Sequence, residues 1–331
     1  MLLISVIIPT AGRPALLRRA ILSCLIGQYA GDTEIIVIPN GPDNSWMTLQ
    51  AEFQDDTRIR FHYVPKGDQC LARNMGIDLA HGELIRFLDD DDYLFPEEAA
   101  QQYKILQDQP DIDFCSAAIT LENQEGHTPG QLFQPICNSP LEAFLGAQRV
   151  QIPLAHVYRR QTLDGIRWRE GLRQSEDIVW LVDYMTAAPR RWVRMDESVG
   201  VWYQHSMPRQ SLDRPSGRVH EATAQALLAA VGRLQKQERW TPQLAVVVAD
   251  ALWSLVHRAF PFRPFYWHGI ATYAQTLNRD SRPPPSFYKN PIFKQIDPKI
   301  LLWGILPKRW INLIAQTVYG LLAGRDYRRT L

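Results

Sequence analysis

Four consecutive carboxylates, Asp89-Asp90-Asp91-Asp92, directly follow the apolar run LIRFL at 84–88 and precede Tyr93-Leu94-Phe95-Pro96. Charges so placed repel one another strongly unless a cation or hydrogen-bond donors sit among them. Hard divalent cations such as Mg²⁺ or Mn²⁺ take oxygen ligands. Mg²⁺ typically uses one or two protein carboxylates and lets substrate phosphates complete the shell. The plainer alternative is a solvated acidic loop before the next helix, whose N-terminus favours negative charge.

A second acidic pair, Glu176-Asp177, precedes the helical pattern Ile178, Trp180, Leu181, Tyr184, which places both carboxylates in a first helical turn. A carboxylate within reach of a hydroxyl can take its proton, whereas an ordinary capping acid is the other reading of this spacing. His205 follows an expected strand over 198–204 and would offer a nitrogen ligand, although a lone histidine is more often structural or solvated. The other seven histidines show no metal spacing.

Positioning these groups requires strand ends on a common rim. The run LISVII at 3–8 is apolar without alternation, as in a parallel strand covered on both faces, and Pro14 then opens a helical pattern with Leu17, Ile21 and Leu25. Strands are expected over 34–38, 58–64 and 83–88, with helices from Asp43, over 71–80 and from near Pro96. Repeated strand–helix alternation predicts a doubly wound α/β sheet, whose ligand crevice lies beyond the carboxyl ends of the strands. Thr10, Asn40 and Asp89 fall at those ends.

With 46% hydrophobic residues in a chain of 331, a full core is available. Cys24, Cys70, Cys115 and Cys137 form neither a CxxC pair nor a disulfide scaffold, which points to a reducing, cytoplasmic setting. The opening residues read as a first strand and not as a signal peptide. Formal net charge is +1, yet residues 220–331 carry 15 Lys/Arg against 6 Asp/Glu, leaving 21 against 29 for residues 1–219. Two halves of opposite charge suggest two jobs.

Three stretches, SVIIPTAGRPALLRRAILSCLIGQ, EIIVIPNGPDNS and CLARNMGIDLAHGELIRFLDDDD, together resemble glycosyltransferase family 2, in which ARN-x-G, a GE before a strand and LD-x-DD recur in that order. LRQSEDIVWLVDYM and VWYQHSMPRQS are similar to its ED-containing helix and late strand. The resemblance implies a GT-A fold and a metal-dependent inverting transferase moving a sugar from a nucleotide-diphosphate donor, a UDP-sugar first, to a glycan or lipid-linked acceptor in cell-surface polysaccharide synthesis. It implies residues 1–215 as the catalytic domain, with a nucleotide half at 1–110 and an acceptor half at 111–215. Mn²⁺ or Mg²⁺ would be held by Asp89, Asp91 and His205, and the donor contacted by Pro9, Thr10, Asn40, Arg73, Asp89 and Asp90. Asp177 would be the base, with Glu176 as the fallback. Asn40 stands where many relatives carry an acidic residue, Arg73 serves equally as a phosphate clamp or as a salt bridge to the aspartates, and Arg13 is left as a solvated side chain.

Residues 216–331 are expected to form a helical, basic extension. Ile311, Ile314, Val318 and Leu321 share one helical face, with Trp303, Trp310, Tyr319 and Tyr327 near it and Lys308, Arg309, Arg325, Arg328 and Arg329 at its ends. That is the pattern of an interfacial helix, and it suggests peripheral contact with the inner membrane leaflet; an ordinary packing helix is the alternative. Pro307-Lys308-Arg309 is expected to interrupt the run, leaving pieces too short to span a bilayer. Nucleic acid is not expected as a partner. Two rival functions are a non-catalytic subunit of the same fold, and a sugar-1-phosphate nucleotidyltransferase, for which the glycine-rich loop after the first strand is missing.

Overall fold

The structure is a computed structural model that describes residues 3–137, 139–206 and 218–322; at 218–219, 286–287 and 316–322 only the backbone is described. The chain divides into two compact units, one formed by Met1–Pro140 and Val150–Met207, the other by Leu141–Arg149 and Pro208–Leu331. The second unit thus takes a short piece, 141–149, from the middle of the chain, where the sequence suggested a single boundary at 215/216.

The first unit is built on a sheet of nine strands among the described residues: β1 (Ile4–Thr10), β2 (Thr33–Pro39), β3 (Ile59–Phe61), β4 (Leu84–Phe87), β5 (Tyr93–Leu94), β6 (Phe114–Asn123), β7 (Gly130–Leu132), β8 (His156–Arg159) and β9 (Trp192–Gln204). Strand order is β3-β2-β1-β4-β8-β6-β9-β5, with β7 beside β6. The first four strands are parallel, as the alternation with α1 (Pro14–Cys24), α2 (Met47–Glu52) and α3 (Gln69–Leu79) requires. Beyond β4 the sheet is mixed: β8 runs antiparallel to β4 and β6, β9 parallel to β6, and β5 antiparallel to β9. The doubly wound expectation therefore holds for half the sheet. β5 and β8 are too short to show a pattern in the sequence, and no crossover helix announces them.

Why ARN-x-G and GE recur becomes clear from the packing of α3. A Cβ on Gly76 would lie 2.2 Å from Ile7 Cγ2, and one on Gly82 would lie 2.6 Å from the Ser5 amide nitrogen. Both glycines let α3 and its exit lie directly on β1, every residue of which is buried. Asp68 caps α3, its Oδ1 accepting from the Cys70 and Leu71 amides at 3.0 and 3.2 Å. Asn74 ties α3 to the chain at Trp168, its amide oxygen accepting from the Trp168 N–H at 2.8 Å and its amide nitrogen donating to the Trp168 carbonyl at 2.9 Å.

The remaining helices are α4 (Pro96–Asp108) and α6 (Glu176–Ala187) in the first unit, α5 (Pro140–Leu145), which begins the inserted piece, and α7 (Arg218–Lys236), α8 (Pro242–Ala259), α9 (Pro264–Leu277), α10 (Pro291–Lys294) and α11 (Pro298–Leu322) in the second. The backbone of α11 runs through Pro307 as one helix. Leu302 and Leu306 are buried, Trp303 packs on Phe260 with ring centroids 5.3 Å apart, Trp310 Nε1 donates to the Pro261 carbonyl at 2.7 Å, and Arg309 donates to the His257 carbonyl at 2.6 Å. These contacts hold the helix to α8 and α9, so Trp303 and Arg309 serve packing. Ile300, Ile311 and Ile314 on the other face are exposed by 64 to 65%. The side chains of Val318, Tyr319 and Leu321, together with Arg325, Tyr327, Arg328 and Arg329, lie outside the described residues. Among the described residues no helix is long and apolar enough to cross a membrane.

Candidate functional site

β1, β2 and β4 deliver Thr10, Asn40 and Asp89 to one edge of the sheet, as their register requires: Thr10 pairs with Pro39 across β1 and β2, and Ile7 pairs with Phe87 across β1 and β4. Thr10 does more than line a rim. Its hydroxyl donates to Asp90 Oδ2 at 2.6 Å, and Arg13 ion-pairs with the other oxygen of the same carboxylate. Asp90 is fully buried, and burial pushes its carboxyl up to about 7 against the pull of Arg13 and Thr10. Expected among the donor contacts, Asp90 instead ties the turn after β1 to the turn after β4. Asn40 is also turned inward, its amide donating to the Thr10 carbonyl at 3.0 Å. Pro9 is a buried residue of β1.

Asp89, Asp91 and Asp92 each bring a carboxylate oxygen within 4.8 Å of the others. This all-oxygen set suits a hard divalent cation, and it includes Asp92, which the sequence reading passed over. The three are separately restrained. Asp92 Oδ1 accepts from the Tyr203 amide at 3.0 Å, Asp89 Oδ1 pairs with Arg73 at 2.6 Å, and Asp91 Oδ2 lies 2.6 Å from Arg13 Nη1 and 2.9 Å from His205 Nε2. His205 is therefore at the cluster, with its Nε2 directed at Asp91. Arg19 closes the group from behind: it donates to the Asp91 carbonyl at 2.7 Å and lies between the Tyr93 and Tyr203 rings.

Arg73 joins the two acidic groups. Only 1% exposed, its guanidinium stacks on Trp168 at 4.3 Å, bonds to Asp89, and reaches Asp177 Oδ1 at 3.4 Å and Glu176 Oε1 at 3.9 Å. Burial alone would lower its pKa, but Asp89, Asp177 and Glu176 outweigh that and raise it. Glu176 is buried and bonded to Gln69, and burial raises its carboxyl against Arg73. Asp177 is half-buried, and burial with Glu176 beside it raises its carboxyl well above the usual range. Its Oδ1 makes no hydrogen bond to any described residue. Ser175 just before them holds φ at 62°, a conformation disfavoured for any residue but glycine by about 1 kcal/mol or more.

Of the residues singled out from the sequence, Thr10, Arg73, Asp89, Asp91, Glu176, Asp177 and His205 converge, whereas Asn40 and Asp90 brace the rim. Arg13 was missed. It stands at the start of α1 without an apolar pattern of its own, and only the aspartates 77 and 78 positions on give it a role.

Residues 5–163 match the family model described as glycosyl transferase family 2. A Campylobacter jejuni GalNAc(5)-diNAcBac-PP-undecaprenol beta-1,3-glucosyltransferase is 41% identical over 98 residues, 28% of this chain and 30% of that protein. The chain spans less than two thirds of the length of other curated relatives as well, such as 42% of one from Haemophilus influenzae. S. aureus TarS 1-349 in complex with UDP-GlcNAc superposes with a TM-score of 0.59 at 15% identity, covering 87% of this chain and 92% of that one. A Pyrobaculum calidifontis mannosyltransferase, PcManGT, in complex with GDP-Man and Mn²⁺ superposes with a TM-score of 0.51 at 15% identity, covering 96% and 87%. Residues 5–163 thus carry the match to glycosyl transferase family 2, and the fold is GT-A.

Proposed function

We propose that the chain is a metal-dependent inverting glycosyltransferase that moves a sugar from a nucleotide-diphosphate donor, a UDP-sugar first, onto a glycan or lipid-linked acceptor in cell-surface polysaccharide synthesis. The observation that carries the reading is the pairing of an all-oxygen cluster, Asp89, Asp91 and Asp92, with a second carboxylate, Asp177, on the other side of one buried guanidinium. The donors in the TarS and PcManGT complexes, and the undecaprenol-linked substrate in the name of the Campylobacter relative, agree with it.

A divalent cation at the cluster would neutralise charge on the leaving diphosphate. The chain's own residues do the rest. Thr10 and the backbone around Pro9 and Asn40 form the edge against which the nucleoside lies, and Arg73 holds Asp89 in place. Asp177 Oδ1 accepts the proton of the acceptor hydroxyl as that oxygen bonds to the anomeric carbon, and the diphosphate departs with the electron pair of the broken bond. The raised carboxyl of Asp177 suits a base that must hold the proton once taken. Glu176, bonded to Gln69, fits a supporting role better than that of the base.

Residues 1–215 are read as the catalytic domain and 216–331 as a helical extension. We place the enzyme in the cytoplasm, with the exposed Ile300, Ile311 and Ile314 face of α11 resting on an anionic membrane surface. Thermal melting with UDP and GDP, each with and without Mn²⁺, tests the donor reading: stabilisation by a nucleotide only when Mn²⁺ is present supports it, and its loss in Asp91→Ala ties it to the cluster. If no nucleotide shifts the melt under either condition, the chain is a binding subunit of the same fold. Co-sedimentation with phosphatidylglycerol vesicles tests the membrane contact, which Ile311→Glu with Ile314→Glu should abolish.

A further inference from the structure

Arg13 forks across two aspartates that differ in kind. Its Nη2 pairs with Asp90, which is buried, bonded to Thr10 and not part of the oxygen cluster. Its Nη1 lies 2.6 Å from Asp91 Oδ2, an oxygen of a cluster carboxylate, and 3.5 Å from His205 Nε2. A guanidinium and a divalent cation at one carboxylate repel each other, so Arg13 and a cation compete for Asp91. The fork supplies a way out, because the Nη2 prong can keep Asp90 while the Nη1 prong leaves Asp91.

Resting on the metal-dependent reading above, we infer that Arg13 is an internal counter-ion that occupies Asp91 in the metal-free chain, yields it to the divalent cation, and turns the freed prong to the donor's diphosphate. Metal and donor then bind cooperatively. The cation alone must displace Arg13 at a cost. A diphosphate offers the displaced prong a new anion and so lightens that cost. Coupling of this kind is reciprocal, so the cation strengthens donor binding by the same factor. Arg13 thereby makes the site slow to hoard metal when no donor is present.

The experiment measures Mn²⁺ binding to the full chain by electron paramagnetic resonance of the free ion, first alone and then with UDP, in wild type, Arg13→Gln and Arg13→Lys. Without nucleotide, Arg13→Gln should bind Mn²⁺ about tenfold tighter than wild type, as expected for loss of one competing charge-assisted contact. UDP should tighten Mn²⁺ binding in wild type and much less in Arg13→Gln. Arg13→Lys reports on the fork: a lysine keeps the charge but lacks the planar fork that matches two carboxylates at once, so its hold on Asp91 is weaker and it should also bind Mn²⁺ tighter than wild type. It decides the matter should Arg13→Gln fail to fold, as leaving buried Asp90 without its cation threatens. Mn²⁺ affinity unchanged or weakened in folded variants overturns the inference while leaving the metal reading intact. If wild type and variants alike ignore Mn²⁺, the metal reading falls and this inference with it.

Discussion

Replacing Arg73 with Met removes a cation set between Asp89 on one side and Asp177 and Glu176 on the other, with contacts of 2.6, 3.4 and 3.9 Å. Met keeps much of the volume against Trp168 but no charge. At an effective dielectric near 20, each contact of this length is worth roughly 4 kcal/mol of attraction before desolvation is counted. Removing one partner of a buried ionic group leaves the others unpaired, and the net loss in such cases is about 3–5 kcal/mol. That loss should depend on pH. Without the guanidinium, Asp177 and Glu176 titrate higher in the folded chain than in the unfolded one. A carboxyl so raised lends stability that is complete below its unfolded pKa near 4 and is lost as pH rises through the folded value. The variant should therefore be weakest near neutrality and recover part of its deficit at about pH 5, closer to the unfolded carboxyl range. Urea unfolding of wild type and Arg73→Met at the two pH values measures it. A deficit under about 1 kcal/mol, or one equal at both pH values, refutes the picture of a shared counter-ion.

Asp177→Asn should leave nucleotide-induced stabilisation intact while transfer falls by roughly 10²-fold or more, because the amide preserves shape but takes no proton; a comparable loss only in Glu176→Gln would reverse the roles. His156 is fully buried between Ser116 Oγ and the Val150 carbonyl, and burial pushes it down to about 3. A depressed histidine gives stability that is complete above its unfolded pKa and lost as pH falls toward the folded value. His156→Gln should thus flatten the acid slope of the stability curve by up to about 1.4 kcal/mol per pH unit below about pH 6.5, and an unchanged slope would place the acid sensitivity elsewhere. Gly76→Ala drives a methyl into Ile7 and should destabilise by about 1–3 kcal/mol in denaturant titration; pairing it with Ile7→Val should restore part of that, and no rescue would mean the cost lies elsewhere.

The strand ends carrying Thr10, Asn40 and Asp89 were legible because β1, β2 and β4 are mainly apolar, buried runs followed by polar residues. Their number and order in the chain gave the parallel half of the sheet. The antiparallel half was not legible, since a two-residue strand such as β5 has no periodicity to read. Chemistry followed the same division. Carboxylates announce themselves by type, so Asp91 and Asp177 could be singled out as candidates, but whether a carboxylate faces out or in depends on partners far along the chain. Asp90 turns inward because Thr10 and Arg13 meet it, and nothing within ten positions of Asp90 says so. Arg13 was invisible for the same reason, and α11 continues through Pro307 because a helix held by Leu302, Trp303 and Trp310 on its neighbours tolerates one missing amide.

β9 pairs with both β6 and β5, and it brings Tyr203 to Asp92 and His205 to Asp91. His205 lies 114 residues after Asp91. On a ribosome adding about 5–20 residues per second, the aspartate cluster therefore waits roughly 6–20 s between its own synthesis and the arrival of the strand that completes its surroundings. Until then the short β5 that follows the cluster has no partner to pair with, and four adjacent carboxylates stand on an open sheet edge. Pairings over so long a loop are also the slowest to form once the chain is free. A half-made chain thus presents neither the oxygen cluster in its final spacing nor the braces that hold it, and the candidate site is completed with the closing of the sheet as a single late event.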